Sequence, residues 1–271
     1  MPEHANRPKL LIVTQTIDQN DPILGFFVRW VEEFAAQCER VHVLALNVGD
    51  YSLPENVTVH SLGKSEGSGK LTQLWRLWQL SWRLRHEYDT VFTHMNPEYV
   101  LYGAAVWKLL RKRITMWYAH GTVTVRLRIA TWLSQTVFTS TKQGFRLDTP
   151  KRAVVGQGID TRHFKPDPQR QPNERLELIT VGRISESKDL VTLIEACRLL
   201  KNDGLDFRFR IVGSPQTKAD HAYFASLQEL TERYGLREQI AFVGPVPQRE
   251  LPALLNSADI FISAGQTGSL D

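Results

Sequence analysis

Two cations five residues apart, Arg183 and Lys188, follow the apolar run Leu176–Val181 and a glycine, Gly182. They stand just before an amphipathic segment that begins at Asp189. The unbroken apolar run predicts a buried strand, and the segment after it a helix. A parallel strand that ends in Gly-Arg and hands over to a helix sets two positive side chains and a helix N-terminus around one point, where α/β sheets hold ligands. Such a point suits a diphosphate, which an arginine grips through two N–H groups at once. Charge alone would mean no more than an Arg and a Lys on a surface loop; the strand, the Gly-Arg turn and the helix together carry the binding reading.

Two histidines end strand-like runs in the same way. Trp117-Tyr118-Ala119-His120-Gly121-Thr122 puts His120 at the C-terminal end of one, and Thr93-His94-Met95-Asn96-Pro97 puts His94 at the end of the run before it. A lone histidine serves structure as readily as chemistry. Position and the following glycine make His120 the catalytic candidate, with His94 as a weaker candidate lining the same cleft. Cys38 and Cys197 each sit in an apolar helical pattern and read as reduced core thiols. With no clustered histidines beside them, no metal site is expected. Other motifs fail on spacing. Gly63–Lys70 has the wrong glycine pattern for a phosphate loop, with Leu71 where Ser or Thr should stand, and no G-x-G-x-x-G follows the first strand, which counts against an NAD enzyme.

The elements that must position these residues alternate. Strands are predicted at Lys9–Gln15, Val41–Asn47, Asp89–Met95, Ile114–Ala119, Thr136–Ser140 and Ala153–Gly156, with helices at Phe26–Cys38, Leu71–His86 and Tyr99–Leu110. This rhythm means a parallel sheet wrapped by helices. Three prolines in a polar stretch mark a linker over residues 161–175. The rhythm then restarts. Strands are expected at Leu176–Val181, Phe207–Val212, Ile240–Val243 and Asp259–Ser263, and helices at Asp189–Lys201, Ala219–Tyr234 and Gln248–Asn256. The expected domains are therefore 1–160 and 176–271. The second stops without a helix to cover its fourth strand, so the sequence reads as a fragment, on the order of 80 residues short of a complete second domain.

The 271 residues are 42% hydrophobic and 23% charged, enough to bury a core, and no apolar run approaches the length of a membrane span. The N-terminus lacks a signal-peptide layout. The net charge of +4 is unevenly placed: residues 70–128 carry ten Lys and Arg against three Asp and Glu. Within that stretch Trp75, Trp78 and Trp82 fall on one face of the predicted helix Leu71–His86, with Leu71 beside them and Arg76, Arg83 and Arg85 on the flanks. The sequence favours packing of this aromatic stripe on the sheet. The competing account is a helix that lies at a membrane interface.

The segment Gly182-Arg183, Lys188-Asp189, Leu193-Ile194-Glu195-Ala196 resembles glycosyltransferase family 4, the retaining transferases of the GT-B fold. Val155-Gly156-Gln157-Gly158-Ile159-Asp160 with Phe164 and Pro166 is similar to the family's linker. Ile211-Val212-Gly213, Phe242-Val243-Gly244 and Ser257-Ala258-Asp259-Ile260-Phe261 fall in its order and spacing. The resemblance covers residues 155–270 well and the first half in outline. It implies an α/β fold of GT-B type, two Rossmann-like doubly wound domains facing a cleft, the second incomplete. Arg183, Lys188 and Gly25 would bind the donor diphosphate. Gly244 and Val246 would meet the nucleotide base, mainly through backbone groups, and His120 would act at the donor sugar. The family pairs two glutamates separated by seven residues. Aligned through Ala258-Asp259, the first falls on Gly268, whose loop with Ser269 would offer backbone N–H groups to a phosphate or sugar, and the second lies past Asp271.

The implied activity is retaining transfer of a hexose from a nucleotide diphosphate-sugar donor to a glycan or lipid-linked acceptor, in polysaccharide or cell-envelope biosynthesis. It needs no cofactor, metal or nucleic acid. Its expected place is the cytoplasm, with peripheral contact to an anionic membrane, and the 271-residue chain by itself is expected to be inactive. A GT-B nucleotide-sugar 2-epimerase and a non-catalytic nucleotide-sugar-binding or scaffold fragment remain open alternatives.

Overall fold

A computed structural model describes residues 7–21 and 23–265; Gly268 and Ser269 lie outside them. The chain forms two compact units that divide between Gly158 and Ile159.

The first unit is built on β1 (Lys9–Ile17), β2 (Arg40–Val48), β3 (Val57–Ser61), β4 (Thr90–His94), β5 (Arg113–Trp117), β6 (Thr136–Thr139) and β7 (Arg152–Val154). The strands are all parallel, in the order β3-β2-β1-β4-β5-β6-β7. The order reverses between β1 and β4, which opens a crevice at their C-terminal ends. β1 is covered on both faces, so Leu10 to Val13 are all buried, as the unbroken apolar run requires. α1 (Phe26–Gln37) closes one face through Phe27, Val28 and Val31. α2 (Lys70–Arg83), α3 (Pro97–Leu109) and α4 (Val125–Leu133) close the other through Leu77, Val100, Trp107 and Leu127.

The sheet-facing side of α2 corrects the reading of its tryptophans. Leu77 and Ser81 are buried, with Leu84 just beyond the helix, and Ser81 Oγ accepts the Trp107 indole N–H at 3.0 Å. The sequence holds two apolar stripes side by side, and the leucine stripe wins the core. Trp75, Trp78 and Trp82, at i, i+3 and i+7, face outward instead. Among the described residues no helix is long and apolar enough to cross a membrane.

β3 and α4 have no counterpart in the sequence reading. β3 is a five-residue strand paired on one side only, whose VTVHS pattern is half buried. α4 did carry a signal: Thr124 caps it, its hydroxyl oxygen accepting the Leu127 N–H at 3.1 Å.

The second unit has β8 (Leu176–Val181), β9 (Phe207–Val212), β10 (Ile240–Gly244) and β11 (Ile260–Phe261), parallel in the order β10-β9-β8-β11. α5 (Leu190–Asn202) and α6 (Lys218–Arg233) cover one face through Leu193, Ile194, Cys197 and Leu227. α7 (Leu251–Asn256) packs Leu251, Leu254 and Leu255 on the other, against Ile179, Val212 and Ala258. Cys38 and Cys197 are buried, and burial pushes the Cys197 thiol up to about 12.

The proline-rich stretch before β8 is held by a short segment some 85–90 residues later. Asn256 Nδ2 donates to the Lys165 carbonyl at 3.0 Å, and its Oδ1 accepts the Asp167 N–H at 3.0 Å. Asp259 accepts the Glu177 N–H at 2.8 Å and Asn173 Nδ2 at 3.0 Å, and pairs with Arg170. These donors, the Glu177 N–H first, hold the Asp259 carboxyl down at about 2.

Candidate functional site

In the second unit the strand order reverses between β8 and β11, and the candidate residues gather there. β8, β9 and β10 each end at a glycine, Gly182, Gly213 and Gly244, with φ of 155°, 137° and 85°. Their backbones are tied in a row: the Gly182 N–H donates to Val212 O at 2.9 Å and the Gly213 N–H to Gly244 O at 2.8 Å. The three glycines let neighbouring strands end level and turn away sharply, which leaves a low rim.

Arg183 and Lys188 open onto the same small pocket on this rim, with Gly182, Leu190 and Val212 behind them and Ser263 on the β11 side. The structure thus brings the two predicted cations together. A one-turn 3₁₀ helix, Glu186–Lys188, stands between them and delivers the chain to α5 through Asp189 in the left-handed conformation (φ 46°, ψ 50°). Lys188 folds back over the rim: its Cε lies 3.3 Å from where a β-carbon of Gly182 would be. A side chain at 182 would crowd the lysine stem.

One residue that lines the pocket, Ser263, and one close enough to feel the Arg183 charge, Asp220, escaped the sequence reading. Ser263 follows the short β11 and had no chemical signature. Asp220 lies on α6, where it forms a capping box with Thr217: its carboxylate accepts the Thr217 N–H at 3.0 Å while Thr217 Oγ1 accepts the Asp220 N–H at 3.1 Å. Burial works against the Asp220 charge. The bonds from Thr217 and Gln216, with the nearby Arg183 guanidinium, outweigh it and hold the carboxyl below its usual range. The T-x-x-D spacing could have revealed the cap. The approach to Arg183 arises only on folding.

Gly244 ends β10 and Val246 sits on the loop after it. The Val246 side chain turns inward onto Ile179, Val212 and Ala258, so the loop presents backbone rather than that side chain.

In the first unit, His120 follows β5 and is exposed. Its Nδ1 accepts the Thr122 N–H at 3.2 Å, so the neutral ring carries its proton on Nε2, which is set to donate. His94 is placed differently from expectation. It ends β4 at the crevice between β1 and β4, but it is 3% exposed, stacked on Phe27 at 4.0 Å with Phe26 and Trp30 at its edges. Thr14 Oγ1 is its polar neighbour at 3.4 Å. Burial pushes its pKa down to about 3, so it is a neutral core residue and does not face an open cleft. Gly25 caps α1 on the same crevice. It is buried, and its N–H donates to Asp21 O at 3.0 Å, while the Asp21 carboxylate accepts the Ile23 and Leu24 N–H groups.

Residues 161–270 match the family model for glycosyl transferases group 1. The chain is 38% identical over 120 residues to the putative colanic acid biosynthesis glycosyltransferase WcaL of Escherichia coli K12, which covers 44% of this chain and 28% of that protein. It is 30% identical over 116 residues to the amylovoran biosynthesis glycosyltransferase AmsK of Erwinia amylovora, covering 43% of this chain and 27% of the other. These alignments span little more than a quarter of the curated relatives. Among solved structures, Anabaena HepE in complex with UDP-glucose superposes with a TM-score of 0.72 at 17% identity, over 95% of this chain and 74% of that one. Sucrose-phosphate synthase from Thermosynechococcus elongatus gives 0.72 at 15% identity, over 96% and 77%. The fold is of GT-B type, with tandem Rossmann-like units.

Proposed function

We propose that this chain belongs to a retaining glycosyltransferase that moves a hexose from a nucleotide diphosphate-sugar to a glycan or lipid-linked acceptor in polysaccharide biosynthesis, on the cytoplasmic side. The observation that carries the reading is the meeting of Arg183 and Lys188 on one pocket, at the rim where three strands end in glycine. When the bond from the sugar to the diphosphate breaks, negative charge builds on the leaving phosphate. Two fixed cations stabilise that charge, a task metal ions perform in other enzymes. The match to group 1 glycosyl transferases over these residues, and the names of the polysaccharide-building relatives, support it.

In this reading Gly244 and the backbone around Val246 meet the base, while Gly25, buried with its N–H bonded to Asp21 O, shapes the turn into α1 and offers the diphosphate no donor. His120, with its proton on Nε2, acts at the sugar. Retention rests on the resemblance to family 4: with no carboxylate in the described site to serve as nucleophile, it would run by acceptor attack on the face the diphosphate leaves, with the leaving phosphate taking the acceptor's proton. Titrating UDP and GDP into the protein and into Arg183→Ala tests the reading. A diphosphate affinity that the substitution leaves unchanged overturns it.

A further inference from the structure

Three neighbouring helices of the first unit bury one apolar stripe each and display a second. α2, α3 and α4 lie side by side on one face of the sheet. Outward on α2 stand Leu71, Trp75, Trp78 and Trp82, with the indoles 58%, 42% and 49% exposed. Outward on α3 stand Tyr102 and Leu109, and on α4 Val125, Ile129 and Trp132, the last 71% exposed. The stripes join into one surface. The Trp78 indole N–H donates to the Tyr102 carbonyl at 2.6 Å, which ties α2 to α3, and Lys108 Nζ lies 4.7 Å over the Trp132 ring, which ties α3 to α4. Four of the chain's seven tryptophans are on this face, and a contiguous exposed apolar patch of this kind marks an interaction surface.

The charges say what the occupant is. The three helices carry Lys70, Arg76, Arg83, Lys108, Arg126 and Arg128 against one carboxylate of their own, Glu98, which pairs with Arg126 at 2.8 Å; Arg76 pairs with Glu66, just before α2, at 2.9 Å. The Arg85 guanidinium lies 5.4 Å over the Trp82 ring, just past the end of α2. Cations therefore stand among the indoles. The core of a protein–protein interface is depleted of lysine and charge. The boundary between lipid headgroups and acyl chains takes this mixture: indoles settle at that depth, and the cations reach the phosphates.

We propose that the outer face of α2, α3 and α4 docks on an anionic lipid bilayer, with the indoles and leucines at the acyl boundary and the arginines and lysines on lipid phosphates. The assignment stands on this face alone and is independent of the donor-site reading. The attachment is peripheral, since each cation near an anionic surface contributes modestly and salt screens it.

Sedimentation with phosphatidylcholine vesicles, and with vesicles of equal parts phosphatidylcholine and phosphatidylglycerol, tests it. The protein is expected to pellet with the anionic vesicles at low salt, to be released at high salt, and to ignore the neutral ones. Brominated phosphatidylglycerol should quench its tryptophan emission. Arg83→Glu with Arg128→Glu should weaken binding by about 10- to 30-fold or more, and Trp75→Gln with Trp82→Gln should abolish the quenching while circular dichroism stays native. Absence of binding and of quenching in the unmodified protein overturns the proposal without any variant. A dimer in solution that Trp75→Gln with Trp82→Gln dissolves, without vesicle binding, overturns it in favour of a second copy as the occupant.

Discussion

A β-carbon on Gly213 would stand 1.8 Å from the carbonyl oxygen of Gly182. The two glycines end adjacent strands, and the turn that carries Arg183 rests against the bare backbone of the other. Gly213→Ala must push that turn outward, and it also strains a backbone at φ 137°. The expected result is a stability loss of about 1–3 kcal/mol and weaker nucleoside diphosphate binding, although residue 213 carries no group that reaches a ligand. Denaturant melts and calorimetry check the two effects. Unchanged affinity would separate the Gly182 turn from the ligand.

Arg183→Ala and Lys188→Ala should each weaken UDP or GDP binding by about 1.5–3 kcal/mol, the range for a charge-assisted hydrogen bond. Both residues are at least partly exposed, so folding stability should stay within about 0.5 kcal/mol. A fall in stability as large as the fall in affinity would mean that the pair serves the fold.

His120→Ala is expected to lower turnover by about 10²–10³-fold, as for the loss of one transition-state hydrogen-bond donor, and to leave free nucleotide affinity nearly intact. His120→Gln, which keeps an N–H donor, should recover part of the rate if hydrogen-bond donation from Nε2 is the contribution. Steady-state rates beside nucleotide titrations decide this.

Acid should unfold the first unit partly through His94. Its folded pKa, about 3, lies below the ordinary 6.5, so the neutral ring is the native form. Its contribution is complete above about pH 6.5 and is lost as the pH falls from there toward 3, at about 1.4 kcal/mol per pH unit. His42 and His60, both depressed first by burial, act in the same sense. His94→Gln should flatten the slope of melting temperature against pH between about 6 and 4. An unchanged slope would assign the acid limb to other groups.

The sequence made most of the second unit legible because its first three strands are short apolar runs closed by glycine and each helix has a clear stripe. β8 and β9 match their expected bounds, Leu176–Val181 and Phe207–Val212. Arg183 and Lys188 were visible since strand, turn and helix lie within one contiguous stretch. What escaped depends on distant contacts. Asp220 meets the field of Arg183 only across the folded sheet edge. The outward turn of Trp75, Trp78 and Trp82 followed from a competition between two stripes on one helix, which periodicity alone does not decide. His94 read as a ligand-facing end of a strand because the rings that enclose it, Phe26, Phe27 and Trp30, come from a helix about 65 residues earlier.

The grip of Asn256 and Asp259 on Lys165, Asp167, Arg170 and Asn173 sets an order of events during synthesis. The last strand of the first sheet ends at Val154, so that unit has all its strands well before Asn256 is translated. The long-range clamps on the proline-rich stretch that follows, from the Asn256 amide and the Asp259 carboxylate, do not exist until the ribosome has passed those residues. During that interval only local turns at Asp160 and Asp167 order it, which leaves it more exposed than in the finished fold until the fourth strand of the second sheet is made. Asp259→Asn should prolong that exposed interval.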